Sequence, residues 1–270
     1  MNVKQLLVSA ALLLAVSAQA VVVKDVQTKF IVSPAKISVA LPEGYTADDL
    51  RLYPVTYLLN GHGGNHVSWS RIANLDSLAT VYNMIIVCPD GRNSWYWDSP
   101  IDSKMQMESY ITKELIPWID ANYRTIASPE GRAVTGFSMG GHGGLWLGLR
   151  HPELFGNAGA TSGGVDIRPF PKSWNMADRI GSFKDNPQRW NDYTVMTLIE
   201  HVKPGQCNII FDCGTDDFFY NVNCKLDSLM NKRGIYHTFI VNPGAHNAGY
   251  WRKSINRQLE FFYRKFNNLK

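Results

Sequence analysis

The fold is decided by the stretch Gly136-Phe137-Ser138-Met139-Gly140, which continues at once into Gly141-His142-Gly143-Gly144. The apolar run Ala133-Val134 before it predicts a strand, and Leu145-Trp146-Leu147 after it predicts a helix. In the order strand, sharp turn, helix, this G-x-S-x-G pattern is a nucleophile elbow, which holds a serine hydroxyl on a strained turn. Glycines flank the serine because a Cβ there would collide with the neighbouring strand or helix. The sequence therefore predicts Ser138 as a nucleophile.

A serine hydroxyl needs a base, and a chain with this elbow supplies its partners in the order serine, acid, histidine. His246 fits because Pro243-Gly244-Ala245-His246-Asn247 directly follows the last predicted strand. The acid has two candidates, Asp216 and Asp217, which both follow the predicted strand that ends at Cys213. Either could hold the imidazole in one tautomer and stabilise its cation, and position alone does not separate them.

Two backbone N–H groups are expected to bind the oxyanion that forms during acyl transfer. One belongs to Met139, the residue after the nucleophile. The other lies in the loop Leu59-Asn60-Gly61-His62-Gly63-Gly64, where we assign it to His62. The glycines let this backbone approach a substrate, and the imidazole of His62 has no role in this interpretation.

Outward from the elbow, continuous apolar runs alternate with helical patterns. The runs at 55–59 and 84–88 predict strands buried on both faces of a parallel sheet, and further strands are predicted over residues 132–136, 156–161, 208–213 and 237–241. Helical spacing covers 107–123, where Pro117 predicts a kink, and 251–266. Residues 30–41 predict an entry strand, and the prolines and tryptophans of 166–205 predict a short insertion over the sheet's carboxyl edge. This is an α/β fold with a mainly parallel central sheet flanked by helices.

The first 20 of the 270 residues carry the pattern of a signal peptide. Lys4 precedes a short apolar stretch, residues 6–16, and Ala18-Gln19-Ala20 matches the small-x-small cleavage pattern. The apolar stretch is too short to span a bilayer comfortably, which predicts no stable membrane insertion. We therefore expect a single domain over residues 21–270 in a secreted or periplasmic protein, and the sequence does not choose between these two locations.

Charge and cysteine content exclude several classes of partner. The formal net charge is +4 with Lys and Arg scattered along the chain, so nucleic acid is not an expected partner.

The chain has four cysteines: Cys88, Cys207, Cys213 and Cys224. Their spacing fits no zinc site, and Cys88, inside an apolar run, is predicted to be a buried free thiol. Cys224 could pair with either of the other two. Glycines separate His62 from His66 with no carboxylate nearby, so neither a metal nor a cofactor is expected.

Aromatic residues make up 12% of the chain and cluster in Trp95-Tyr96-Trp97 and Tyr250-Trp251. Such rings could stack on a sugar or on a phenolic ring. The candidate substrate-binding residues are Trp95, Tyr96, Trp97 and Trp251. Packing in the core is the alternative for each of them.

Five motifs occur together: Tyr57-Leu58-Leu59-Asn60-Gly61-His62-Gly63-Gly64, the Gly136 to Gly144 block, Arg150-His151-Pro152-Glu153-Leu154-Phe155, Cys213-Gly214-Thr215-Asp216-Asp217-Phe218, and Gly244-Ala245-His246. Over most of the chain after residue 20 they resemble the esterase D and feruloyl esterase branch of the α/β-hydrolases. Asn60 departs from the family's pattern, in which many members carry His or Asp. The resemblance to the family's acid loop implies Asp217 rather than Asp216.

The resemblance implies a serine esterase that works through an acyl-enzyme on Ser138. For an exported member with aromatic residues near its cleft, the expected substrates are feruloyl or acetyl esters on plant polysaccharide. A broad short-chain acyl esterase of the tributyrin type is the main alternative, and an acyltransferase is a further one. S-formylglutathione hydrolysis fits export poorly, because that thiol ester is cytosolic. From a different class, an inactive hydrolase-like module that binds carbohydrate would need no ordered Ser, Asp and His set.

Overall fold

A central sheet forms the middle layer of the protein. The computed structural model describes residues 21–48 and 50–269, so the predicted signal peptide lies outside the described residues. The strands are β1 Val22–Val26, β2 Ala35–Ala40, β3 Val55–Leu59, β4 Ile85–Pro89, β5 Arg132–Gly136, β6 Asn157–Thr161, β7 Asn208–Gly214 and β8 Thr238–Asn242. Within the described residues these eight strands form one sheet, in the order β1-β2-β4-β3-β5-β6-β7-β8. β1 and β2 pair antiparallel, and all strands from β4 to β8 in this order run parallel.

Helices cover both faces of this sheet. They are α1 Ser68–Ile72, α2 Leu75–Val81, α3 Met107–Tyr110, α4 Ile116–Asn122, α5 Met139–Arg150, α6 Ala177–Ile180, α7 Pro187–Asp192, α8 Val195–Leu198, α9 Tyr220–Lys232 and α10 Ala248–Phe266. Side chains alternate between the faces along β3, so Tyr57 and Leu59 join one hydrophobic cluster while Leu58 joins the other. Every residue of β3 and β4 is buried, which explains why these two central strands are mostly apolar.

The predicted fold is confirmed, because this mostly parallel sheet with flanking helices is the α/β-hydrolase fold. β3 and β5 have the predicted bounds. β1 was not predicted, since only the region from residue 30 onward was interpreted as strand. The insertion between β6 and β7 contains α6, α7 and α8. No helix within the described residues is both long and apolar enough to cross a membrane.

The irregularity predicted at Pro117 lies in the turn before it. Residues Ile111–Leu115 form a π-helical turn between α3 and α4, and Pro117 stands in the first turn of α4. Proline has no N–H to donate, and a first helical turn needs none. The wider π turn thus lets the helical path continue through the proline.

Candidate active site

The candidate site lies beyond the carboxyl ends of the parallel strands. β3 and β5 are neighbours, but the chain goes from β3 to β4 on the other side before it returns to β5. Loops that follow two such strands diverge, and the crevice between them is where α/β sheets bind ligands. The glycine-rich loop follows β3 and the elbow follows β5, so both predicted backbone donors meet at this crevice.

The elbow has the strained geometry that its sequence predicts. Ser138 has φ +58° and ψ −117°, in a region that non-glycine residues rarely adopt. Neighbouring backbone holds this conformation, since the Ser138 N–H donates to the Thr161 carbonyl at 3.0 Å. A Cβ at Gly140 would stand 2.3 Å from the Leu59 carbonyl oxygen, and one at Gly136 would stand 2.5 Å from the same atom. The elbow therefore packs backbone against backbone at the end of β3.

Three side chains from distant parts of the chain form one hydrogen-bonded row. The Ser138 Oγ lies 2.9 Å from His246 Nε2, and the Asp217 Oδ2 lies 2.8 Å from His246 Nδ1. The carboxylate of Asp217 is buried, whereas Ser138 is partly exposed. A carboxylate on Nδ1 keeps the proton on that nitrogen and leaves Nε2 free to accept the serine proton.

The loops after β7 and β8 hold each other in place. The Asp216 N–H donates to the Gly244 carbonyl at 2.9 Å. A Cβ at Gly214 would stand 2.1 Å from that same carbonyl oxygen, so only glycine permits this approach. The side chain of Asp216 points to solvent, while the Asp217 Oδ1 also accepts the Phe219 N–H at 2.8 Å. The structure thus places Asp217, and not Asp216, on His246.

The predicted oxyanion donors lie on either side of Ser138. Met139 opens α5, so its N–H has no acceptor within the helix. The Gly64 N–H donates to the Gly61 carbonyl at 3.0 Å, which closes a turn with His62 in its second position. The third position, Gly63, has φ +75°, as a type II turn requires. A Cβ at Gly61 would come within 3.3 Å of the Ser138 Cβ, so this turn borders the nucleophile.

Buried polar side chains support this turn. The Asn60 Oδ1 accepts the Gly91 N–H at 2.9 Å, and the Tyr96 hydroxyl donates to the Asn60 carbonyl at 3.0 Å. The Asn93 Oδ1 accepts the Gly63 N–H at 2.7 Å. Asn60, the residue that departs from the family pattern, is therefore held at two points: its side-chain oxygen accepts from Gly91, and its carbonyl oxygen accepts from Tyr96.

Three of the four predicted substrate-binding aromatics lie in the interior. Trp95, Tyr96 and Trp97 are at most 1% exposed. The Trp97 Nε1–H donates to His142 Nε2, and the phenol of Tyr96 supports the turn after β3. These rings are core and positioning groups, which corrects the expectation that they stack on a substrate: their faces are covered by neighbouring side chains.

Trp251, the fourth aromatic, lies at the site. Its ring stacks on Phe137 at 4.3 Å and meets His246 edge to face at 5.1 Å. Its Nε1–H donates to the Ser162 hydroxyl at 3.2 Å. Trp251 is partly buried and packs behind the imidazole, so its ring limits how His246 can turn.

Two aromatic residues at the site were missed by the sequence interpretation. Phe218 follows the acid directly, and its ring centroid lies 4.2 Å from that of His246. Trp174, from the insertion, stacks on Phe218 at 5.7 Å. Phe218 belongs to the acid-loop motif and directly follows Asp217, so its position in the sequence could have indicated that it lies near the site. No sequence feature indicated that Trp174 of the insertion would lie near the loop that carries His246.

The cysteines lie outside the row of Ser138, His246 and Asp217. All four are free thiols, and Cys88 is buried as predicted. Burial raises the pKa of the Cys207 thiol to about 12, so this thiol stays protonated at neutral pH. Among the described residues, no group of three or more His, Cys, Asp or Glu side chains is placed to hold a metal ion.

Comparisons with known proteins show that the chain is similar to esterases. The family model described as Putative esterase matches residues 29–262. An acetyl esterase of Caldicellulosiruptor saccharolyticus is 27% identical over 219 residues, which cover 76% of this chain and 81% of that protein. A solved ferulic acid esterase structure superimposes with a TM-score of 0.79 at 26% identity, covering 91% of this chain and 98% of that one.

A Mycobacterium tuberculosis esterase is 36% identical over 137 residues, or 49% of this chain. The match spans only 30% of that protein's own length. The predicted resemblance to the esterase D and feruloyl esterase branch is confirmed by the family match and by the ferulic acid esterase fold. Since the family match extends from residue 29 to residue 262, the chain belongs to the Putative esterase family, within the α/β-hydrolases.

Proposed function

We propose that the protein is a carboxylic-ester hydrolase in which Ser138 forms an acyl-enzyme, His246 is the base and Asp217 orients the base. The observation that carries this proposal is the continuous row from Ser138 Oγ to His246 Nε2, at 2.9 Å, and from Nδ1 to Asp217, at 2.8 Å. An idle serine would not need a strained φ, an imidazole on its hydroxyl and a buried carboxylate behind that imidazole.

The first half of the reaction forms the acyl-enzyme. His246 Nε2 takes the hydroxyl proton as Ser138 Oγ attacks the ester carbonyl carbon. Negative charge then develops on the carbonyl oxygen, where the N–H groups of Met139 and His62 are the proposed donors. The C–O bond to the alcohol breaks, and the imidazolium returns the proton to the departing alcohol oxygen.

The second half repeats these steps with water. Water gives a proton to His246 Nε2 and attacks the acyl carbon, and the bond from that carbon to Ser138 Oγ breaks. The serine regains its proton from the imidazolium, and the carboxylic acid leaves. Asp217 stays ionised throughout and stabilises the cation of His246.

For the substrate we propose feruloyl or acetyl esters on plant polysaccharide. Support comes from the similarity to an acetyl esterase and to a ferulic acid esterase. The signal-peptide pattern of residues 1–20 adds support, because polymeric substrates are met outside the cell or in the periplasm. A broad short-chain acyl esterase is the second candidate, and the acetyl esterase relative favours it equally.

The test measures initial rates of hydrolysis by the purified protein on methyl ferulate, acetylated xylan, p-nitrophenyl acetate and p-nitrophenyl butyrate. Ser138→Ala is expected to reduce every rate by about 10⁶-fold, which leaves only the small acceleration over water that binding and the oxyanion donors supply. Ser228→Ala, an exposed serine on α9, is the matched control and should keep the wild-type rates.

Activity on methyl ferulate or acetylated xylan that disappears in Ser138→Ala would support the polysaccharide ester proposal. Activity on the p-nitrophenyl esters alone would favour the broad acyl esterase. Full activity in Ser138→Ala, or no activity of the wild type on any of the four, would overturn the mechanism.

A further inference from the structure

An exposed aromatic ring stands beside the proposed catalytic histidine. Phe218 is 50% exposed, although its ring centroid lies only 4.2 Å from the imidazole centroid of His246. A second ring neighbour of Phe218 is Trp174, with centroids 5.7 Å apart and ring planes 24° apart. The proposed mechanism gives neither residue a task. We call this pair the Phe218–Trp174 platform.

Further aromatic rings, two of them buried, pack against the Trp174 side of the platform. Trp174 packs on Phe170 at 5.4 Å and on Phe219 at 5.2 Å, and it reaches Trp95 at 6.0 Å. Phe219 and Trp95 are each only 1% exposed. A layer of packed rings therefore supports the platform, and Phe218 is its most exposed ring.

The backbone of the insertion is strained at Trp174, the residue whose ring packs on Phe218. Trp174 has φ +50° and Asn175 has φ +53°, two successive non-glycine residues in the left-handed region. Such conformations cost free energy and persist only where surrounding contacts hold them. The stacked position of Trp174 is thus specified by its packing on Phe170 and Phe219.

The proposed proton transfer from His246 identifies which part of a substrate would contact the platform. His246 Nε2 returns its proton to the alcohol oxygen that leaves, so the alcohol must lie next to the imidazole. The carbonyl oxygen points instead toward Met139 and His62. A ring that packs on His246 therefore borders the alcohol side of the ester and not the oxyanion side.

We propose that the Phe218–Trp174 platform binds the alcohol part of the substrate, and that this alcohol is a sugar. One face of a sugar ring carries several C–H groups with slight positive charge, which suit the negative face of an aromatic ring. The two rings are stacked with their planes 24° apart, and the half-exposed ring of Phe218 offers an aromatic surface next to His246. A small alcohol such as methanol would leave the exposed ring uncovered. This inference rests on the proposed function and names the leaving group of its substrate.

The test compares two esters with the same acyl group and different alcohols: methyl ferulate, and a feruloylated arabinoxylan oligosaccharide. The measured quantity is the ratio of kcat/KM for the sugar ester to kcat/KM for the methyl ester. Phe218→Leu removes the aromatic face while it keeps an apolar side chain. We expect it to lower the ratio by about three- to tenfold, mainly through KM, which is the range for loss of one stacked ring.

Two further variants control this result. Phe218→Trp keeps an aromatic face and should hold the ratio within about twofold of wild type. Tyr236→Ala removes a ring that is 88% exposed next to the amino end of β8, away from His246, and should leave the ratio unchanged. Thermal unfolding of each variant checks that it is folded.

The outcomes separate this inference from the proposed function. An equal loss on both esters in Phe218→Leu, or a shifted pH profile on methyl ferulate, would mean that the ring only positions His246 and would overturn the sugar platform. An unchanged ratio would overturn it too, as would a wild type that cleaves methyl ferulate but not the sugar ester. If the wild type cleaves neither ester, feruloyl esters are not its substrates and the sugar platform is overturned, while the rates on the p-nitrophenyl esters still decide the proposed mechanism.

Discussion

At the scale of single residues, Asp216 and Asp217 are chemically identical neighbours that only their surroundings distinguish. Asp217 is buried, accepts the Phe219 N–H at 2.8 Å and faces His246 Nδ1. Asp216 is exposed, and its closest side-chain partner is the Thr215 hydroxyl at 3.4 Å. Successive side chains in this turn point in opposite directions, so the carboxylate of Asp217 lies in the site and that of Asp216 is exposed to solvent.

Asp217→Asn is expected to lower kcat by about 10⁴-fold with the protein still folded. The Phe219 N–H keeps the amide oxygen of the new side chain, which turns its NH₂ group toward His246 Nδ1. That arrangement favours the tautomer with the proton on Nε2, which cannot accept the serine proton. Steady-state kinetics on methyl ferulate check this, with Asp216→Asn as the matched control near wild-type activity. Equal losses in both variants would contradict the assignment of Asp217.

His142 is a second histidine near the nucleophile, and its surroundings exclude it from acid–base work. It is fully buried, its Nε2 accepts the Trp97 Nε1–H at 2.8 Å, and its Nδ1 lies 3.2 Å from the Gly164 carbonyl oxygen. This pattern places its proton on Nδ1 and keeps the ring neutral. Burial lowers the pKa of His142 to about 3.

This lowered pKa makes stability depend on pH with a definite sign. Between about pH 6.5 and pH 3 the unfolded chain binds a proton at His142 and the folded protein does not, so stability falls as pH falls through this window. The slope is about 1.4 kcal/mol per pH unit. From pH 7 to pH 5 the wild type should lose about 2 kcal/mol more unfolding free energy than His142→Asn does. Urea titrations at both pH values test this, and equal losses would refute it.

At the scale of elements, the turn after β3 depends on other elements of the chain. The Asn93 Oδ1 accepts the Gly63 N–H at 2.7 Å, and the Asn93 carbonyl accepts the Arg179 Nε–H at 3.1 Å. Arg179 belongs to α6 of the insertion and also lies 3.2 Å from Asp102. Asn93 thus connects the insertion to the turn after β3, by one hydrogen bond on each side.

Asn93→Ala should lower kcat on methyl ferulate by about tenfold to a hundredfold and change KM little. The Gly63 N–H loses its acceptor, so the turn that carries the His62 N–H is held less rigidly, and small misplacements of this kind are costly in catalysis. Asn93→Asp keeps an acceptor oxygen at the same place and should restore most of the rate. Similar losses in the Ala and Asp variants would show that the hydrogen bond to Gly63 does not support the turn.

At the scale of the whole molecule, a buried polar network joins the sheet to the last helix. The carboxylate of Asp212 in β7 accepts the hydroxyl of Thr161 at 2.7 Å and the amide of Gln258 at 2.7 Å, and it also accepts the hydroxyl of Ser254. Gln258 continues to the hydroxyl of Thr135 in β5. Burial raises the pKa of Asp212, and these hydrogen bonds oppose that rise. β5, β6, β7 and α10 are thereby joined below the candidate site.

Asp212→Ala should reduce the free energy of unfolding by about 3 kcal/mol, because it leaves several buried donors without an acceptor. Asp25→Ala is the matched control: it removes an exposed ion pair with Lys36 and should cost less than about 1 kcal/mol. Urea unfolding of both variants at pH 7 measures the difference. Losses that agree within about 0.5 kcal/mol would contradict a structural role for the network.

The parts of the molecule that the sequence predicted are those with a local pattern. β3 and β5 are short, contain the apolar runs Tyr57-Leu58-Leu59 and Ala133-Val134, and are each followed by a glycine-rich segment, so their bounds could be predicted from the residues themselves. The glycines around Ser138 predicted a sharp turn for an equally local reason. The π turn before Pro117 was predicted only as a kink, because spacing does not reveal how a helix accommodates a missing N–H.

By itself the sequence determined an α/β fold with a mainly parallel sheet, the strained turn at Ser138 and a histidine loop after the last strand, because these depend on the residue pattern along the chain. The tertiary structure alone decided which rings are buried and which meet the site. Trp95, Tyr96 and Trp97 entered the core, while Phe218 met Trp174 beside His246. Contacts between residues far apart in the chain arise only when the sheet aligns the strand ends, as for Ser138 and His246, which are 108 residues apart.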